Sequence, residues 1–143
     1  MNTRFSSLVT LKKNKMEQSE RLVQRANADL NTASSQLQAS YNSLAEVESP
    51  QRGSISKFLA SRTLLSTARS AIEHNKEWVG FAKKQVHLAR ENLKSDMIEH
   101  EKFKYLELEE IKKILLKQKR QEAKDLDEVA LMTYSKPESN IKG

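Results

Sequence analysis

Cysteine is absent from the 143 residues, so neither disulfides nor thiolate chemistry is open to this chain. Glycine and proline are scarce as well, three and two residues, too few turn formers for a mixed fold with many connections. Aromatic residues make up 6%, which leaves little bulk for a thick core, so stability has to come from a narrow seam. No run approaches the roughly 20 apolar residues of a membrane-spanning helix. The opening Met1-Asn2-Thr3-Arg4-Phe5-Ser6-Ser7-Leu8-Val9 has neither a long apolar region nor the small-residue cleavage site of a signal peptide. These absences lead to the expectation of a soluble cytoplasmic chain with no direct membrane insertion.

What remains is helix-period apolar spacing over almost the whole length, broken strongly only at Ser49-Pro50-Gln51-Arg52-Gly53-Ser54. After the break Ile72, Val79, Val86 and Leu93 recur every seven residues, with Ala82 and Ala89 three places after Val79 and Val86. A seven-residue apolar repeat is a stripe that lies along another helix. The expected fold is all-α: a long antiparallel two-helix coiled-coil hairpin in one domain, residues 1–134. Helix 1 covers about 3–48, the turn 49–54 and a longer helix 2 about 55–132. Thr3 or Ser6 caps the first helix, and Ser54 or Ser56 the second. Ser135-Lys136-Pro137 signals the end, because proline cannot continue a helix and disfavours it in the preceding residue. The polar tail 135–143 is expected to be disordered.

Helix 1 offers Phe5, Leu8, Leu11, Leu22, Ala26, Leu30, Ala33, Leu37, Leu44 and Val47 as its apolar face. Lys15, Ser19 and Ser40 fall where a strict heptad wants leucine, and such polar layers select register. A loop of about six residues forces antiparallel neighbours. Folding about Gln51 pairs positions whose numbers add to about 103, which sets Leu44 near Leu59, Leu30 at Ile72 and Leu8 near Asp96 and Met97. There helix 1 runs out. Roughly 35 further residues of helix 2, about 50 Å at 1.5 Å per residue, keep Phe103, Leu106 or Tyr105, Leu108, Ile111, Ile114, Leu115 and Leu116 without a partner. A lone helix of this kind is marginal in water, and a long exposed apolar stripe marks an interface. Docking into another protein is the reading; self-association of two such ends is the alternative.

Chemistry of other kinds finds little support. His74, His87 and His100 stand thirteen apart, which turns a helix by about 220° per step, so they do not converge on a metal, and i, i+3 or i, i+4 ligand pairs are lacking. Glu107, Glu109 and Glu110 sit on an exposed helix with no pocket to shift a pKa. There is no glycine-rich phosphate loop and no nucleophile elbow. No catalytic residue, cofactor or metal is expected. The net charge of +6 raises nucleic acid, but lysines and glutamates are interleaved along the helices as on any solvated face, so none is expected to bind. Trp78 and Phe81 could stack a ligand; an aromatic pair packed in the core is the commoner arrangement. Gly80 beside them could let a ring approach the backbone, or could be a plain tolerated glycine.

Several segments together resemble a known family. Phe5-x-x-Leu8-x-x-Leu11-Lys12 with Glu17 is similar to the start of the FliJ flagellar export proteins. Glu101-Lys102-x-x-Tyr105-Leu106-Glu107, Lys117-Gln118 and Glu122-Ala123-Lys124-Asp125-Leu126-Asp127-Glu128-Val129-Ala130 resemble the family's C-terminal pattern, and Phe58-Leu59 and Ala71-Ile72-Glu73 fit its middle. The likeness covers nearly the full length. It implies a non-enzymatic component of bacterial flagellum biogenesis, similar to the central stalk of rotary ATPases. Such a protein binds and stimulates the hexameric export ATPase (FliI), contacts the export gate protein (FlhA) and escorts export chaperones. It is implied to be monomeric when free and peripheral at the inner face of the cytoplasmic membrane.

Carried over by residue, the resemblance puts ATPase contacts at Phe5, Leu8, Phe103, Leu108, Ile111, Leu115, Lys119 and Leu126, with Arg120 beside Lys119 able to meet acidic loops. It puts gate contacts at Gln36, Ser40, Ser43, Val47, Leu64, Ala68, Ala71 and Asn75. The stalk protein of a virulence-type secretion system and a generic dimerising coiled-coil scaffold are the alternatives.

Overall fold

The computed structural model describes residues 2–47 and 53–141, with side chains through Tyr134. Helix α1 is Ser6–Glu46 and helix α2 is Ile55–Ile141, with no strand among the described residues. The two pack against each other as a helical hairpin whose second helix is the longer, 87 residues against 41. Contacts divide the chain into two compact units, one made of Asn14–Ile98 and the other of Met1–Lys13 with Glu99–Gly143.

The helix starts follow local chemistry. At α1 the Phe5 amide donates to Thr3 Oγ1 at 3.1 Å, and the Thr3 amide donates to Ser6 Oγ at 2.8 Å. This reciprocal arrangement satisfies donors that no helical carbonyl reaches. At α2 the Ser54 carbonyl accepts from the Lys57 amide at 3.0 Å and the Phe58 amide at 3.4 Å. Gly53 enters that turn at φ 152°, a conformation side chains rarely adopt. Residues 49–52 of the expected turn lie outside the described residues. At the other end the helical backbone passes the expected stop near Met132 and reaches Ile141. The expected stop at Ser135-Lys136-Pro137 thus falls inside the helical span.

Within Asn14–Ile98 the seam is thin and alternating. Ala26, Ala33, Ile72, Ala82 and Val86 are buried, and so are the polar Ser19, Ser40, Ser61 and Asp96. Val23, Leu30, Leu37 and Leu44 of α1 and Leu65, Val79, Ala89 and Leu93 of α2 are half-buried beside them. Both helices therefore step by three and four without a break, as the α2 heptad leads one to expect. No side chain among the described residues falls below 2% exposure, so the core is a strip and not a volume.

The register differs from the expected one. Ser19 Oγ donates to the Asp96 carboxylate, and the Asn75 amide donates to Ser40 Oγ; the numbers of each pair add to 115, not 103. In this register large meets large (Leu30 with Val86, Leu37 with Val79) and small meets small (Ala33 with Ala82). A fold about the middle of the break assumes that pairing begins where helix begins. Instead all of 55–60 is exposed, and the α2 seam opens at Ser61. Polar matching explains the choice. Sliding by one heptad sets Asn75 against Ala33 in one direction, and against Val47 with Asp96 against Ala26 in the other, and a buried polar group without a partner costs about 1–3 kcal/mol.

The α1 face changes with it. Leu8, Leu11 and Leu22 are exposed at 37, 59 and 49%, while half-buried positions fall at Val9, Lys12, Met16 and Val23. In the unit that pairs Met1–Lys13 with Glu99–Gly143, the Lys12 ammonium lies 5.6 Å from the Phe103 ring centroid and 3.7 Å from Glu99. Arg4 lies 3.7 Å from Glu110 and stacks 4.9 Å from the Phe5 centroid. His100 is buried, as its heptad place after Leu93 implies. Phe103, Leu106, Ile111 and Ile114 are half-buried, and every described residue from Leu115 to Tyr134 is exposed. The uncovered stretch of α2 thus begins at Leu115 and not at Met97.

Candidate interaction surfaces

All eight residues expected at an ATPase contact fall in the unit of Met1–Lys13 and Glu99–Gly143, and all eight expected at a gate contact fall in Asn14–Ile98. Within the first group the residues divide. Phe5 and Phe103 are half-buried, Phe5 beneath Arg4 and Phe103 beneath Lys12. Leu8, Leu108, Leu115, Lys119 and Leu126 are exposed, and Ile111 is half-buried.

Helix geometry turns the α2 members of that group into a surface. At about 100° per residue, Leu108, Ile111, Leu115, Lys119 and Leu126 lie within an arc of about 80°. Val129, 57% exposed, falls on the same arc, as does Glu122. The paired positions Phe103, Glu110 and Ile114 project about 100–140° away from its centre. The stripe is therefore separate from the seam, and it joins aliphatic side chains to one lysine and one glutamate. Leu116, Leu131 and Met132, half or more exposed, lie outside that arc, Leu116 on one side and Met132 on the other.

The gate group is less uniform. Ser40 is buried and donates to the Gln36 carbonyl at 3.0 Å, and half-buried Asn75 donates to that carbonyl at 3.4 Å and to Ser40 Oγ. Ser40 and Asn75 thus form a seam layer, with Ala68 and Val47 half-buried. Gln36, Ser43, Leu64 and Ala71 are exposed.

Trp78 and Phe81 are not core, contrary to the commoner arrangement: they are 51 and 54% exposed. The Trp78 indole N–H donates to His74 Nε2 at 2.9 Å, and the Trp78 ring meets Phe81 edge-on at 6.0 Å. The positions 74, 78 and 81 lie outside the 72-75-79-82 seam. That phase is legible in the sequence, once alanine is accepted as the seam residue at 82. Gly80 between them is open: a Cβ there meets nothing within 4 Å, so no ring presses on its backbone.

No three of His, Cys, Asp or Glu among the described residues are placed to hold a metal. The clearest titration shift is on exposed Lys76, whose amine is held above its ordinary value by the Tyr41 phenol and then by Glu73 at 3.6 Å, an ordinary surface grouping. No helix among the described residues is long and apolar enough to cross a membrane.

Compared with known families, residues 1–139 match the model described as flagellar FliJ protein. No curated protein and no solved structure matches the chain.

Proposed function

With the chain's membership of the FliJ family, and hence its place as a component of flagellar protein export, as the premise, we propose that it is the non-enzymatic stalk of the export ATPase. The α2 stripe around Leu108, Ile111, Leu115, Lys119 and Leu126 docks against the ATPase ring and stimulates it. Phe5 and Phe103 hold the adjoining turns in place through Arg4 and Lys12, and Leu8 borders the contact. The observation that carries this reading is the uncovered aliphatic run from Leu115 to Met132, on a helix that packs well up to Ile114.

The energetics suit a binding device. Apolar area removed from water contributes about 25 cal/mol per Å², and Lys119 within the stripe gives direction by seeking an acidic group. Any influence on hydrolysis comes from binding one conformation of the ring better than another, because a ligand shifts an equilibrium only by its difference in affinity for the two states. A second surface, on Gln36, Ser43, Leu64 and Ala71 above the Ser40–Asn75, Val47 and Ala68 layers, meets the export gate protein, and the same hairpin escorts export chaperones. The free protein is a cytoplasmic monomer that works peripherally at the inner face of the membrane.

ATP hydrolysis by the cognate export ATPase, with and without the chain, tests the proposal. The full chain raises the rate, and the double variant L115E/L126E removes the increase while its helical circular dichroism stays unchanged. An ATPase that neither responds to the chain nor co-purifies with it rejects the reading. Self-association of two distal segments is the competing account of the same stripe.

A further inference from the structure

From the exposed aromatic group on α2 we infer that the groove between Trp78, Phe81 and α1 is a docking site for an arginine-bearing, otherwise aliphatic helical segment of another protein. The groove encloses about 440 Å³, with Asp29, Thr32 and Gln36 on one side and Trp78, Phe81 and Gln85 on the other. A shallower hollow adjoins it, lined by His74, Glu77, Trp78 and Phe81. Both lie within Asn14–Ile98.

The rings are fixed before anything binds. Trp78 donates its N–H to His74 Nε2 at 2.9 Å and sits edge-on between His74 at 6.2 Å and Phe81 at 6.0 Å. Holding two large side chains in one rotamer ahead of time removes an ordering cost from association. Half of each ring nonetheless faces solvent, 51% of Trp78 and 54% of Phe81. Residues at i, i+4 and i+7 present one face of a helix, the spacing by which helical partners are gripped.

Charge selects the occupant. The chain carries a net +6, yet the formally charged groups lining the two hollows are Asp29 and Glu77, with no lysine or arginine among the described lining residues. His74 accepts the indole hydrogen bond at Nε2. A planar guanidinium stacks on the face of tryptophan and pairs with carboxylates at its edges, which an aliphatic or acidic segment cannot do. Aliphatic side chains one turn away on the partner would cover Phe81 and the Ala33–Ala82 floor. The site shares no residue with the proposed ATPase stripe and does not depend on that reading.

Trp78 is the one tryptophan of the chain, so its emission reports on the groove directly. The probe is a short amidated helical peptide of alanine, leucine and arginine, matched by one with citrulline in place of arginine. With the full-length protein the arginine peptide gives a saturable change in Trp78 emission, and the neutral peptide binds roughly tenfold or more weakly. D29N/E77Q and, separately, F81A each weaken the arginine peptide by a similar factor, whereas E91Q leaves it unchanged. Equal binding of the two peptides, indifference to D29N/E77Q, or no saturable response at millimolar peptide overturns the inference. So does a dimer in sedimentation that F81A dissolves, since a second copy would then be the occupant. Stimulation of the ATPase by D29N/E77Q is expected to match wild type, which separates failure here from failure of the stalk reading.

Discussion

Asn75 and Ser40 show how two polar side chains can hold a narrow seam in place. Each occupies a position where an apolar residue would add burial, and each instead satisfies the other, with the Gln36 carbonyl as a shared acceptor. Replacing Ser40 alone by alanine leaves the Asn75 amide with a poorer set of acceptors in a half-buried place. We expect S40A and N75A each to destabilise by about 1–2 kcal/mol, and S40A/N75A by less than their sum, with a coupling of about 0.5–1.5 kcal/mol. Urea unfolding of the four proteins reads the cycle; strict additivity would mean that the layer does not set the register. Gly80 is the opposite case. Its side of α2 is open, so G80A adds no clash and gains about 1 kcal/mol of helix propensity. A melt in which G80A is less stable than wild type would show that the glycine serves a bound partner or a bend.

At the scale of the helix, the sequence is readable for α2 and misleading for α1. The α2 repeat from Ile72 to Leu93 is built from β-branched and aliphatic residues, so its buried face is evident by inspection. On α1 the seam runs Phe5, Val9, Lys12, Met16, Ser19, Val23, and three of the leucines that invite selection face outward. Weight given to leucine hides an unbroken three-four alternation that contains a lysine and a serine. Lysine can serve there because its stem packs while its ammonium stays near solvent, here over Phe103 and beside Glu99. The register error has the same source, since matched polar pairs and not the loop midpoint decide it. Its consequence is a shorter uncovered segment, which yields a sharper truncation. A chain ending at Ile114 is expected to keep its unfolding free energy within about 0.5 kcal/mol, since every described side chain it loses is exposed. It should lose stimulation of the export ATPase completely. Full stimulation by this truncated protein would move the ATPase contact onto Phe5, Leu8 and Phe103.

For the molecule as a whole the question is what covers the α2 stripe. Its ingredients were visible in the sequence, as aliphatic residues in excess of any partner on helix 1. Their phase relative to the seam was not, because that depends on which α1 residues pair. A second copy could lie antiparallel with Leu115 on Leu126 and Lys119 on Glu122, a match of both size and charge. The next layer out, however, sets Lys112 against Val129, and the one after sets Leu108 against Thr133. Two apolar layers repeated by symmetry fall well short of the roughly 1,200 Å² that a stable specific interface buries. A parallel pair fares worse, since each Lys119 would face its own copy. The free protein is therefore expected to sediment as a monomer up to about 100 μM, where an interface of this size leaves Kd in the range of weak encounters. Its urea midpoint should not move over that concentration range. A dimer that forms at low micromolar concentration and disappears in L115E would mean that the stripe closes on itself, and the ATPase would then have to compete with a second copy for the same face.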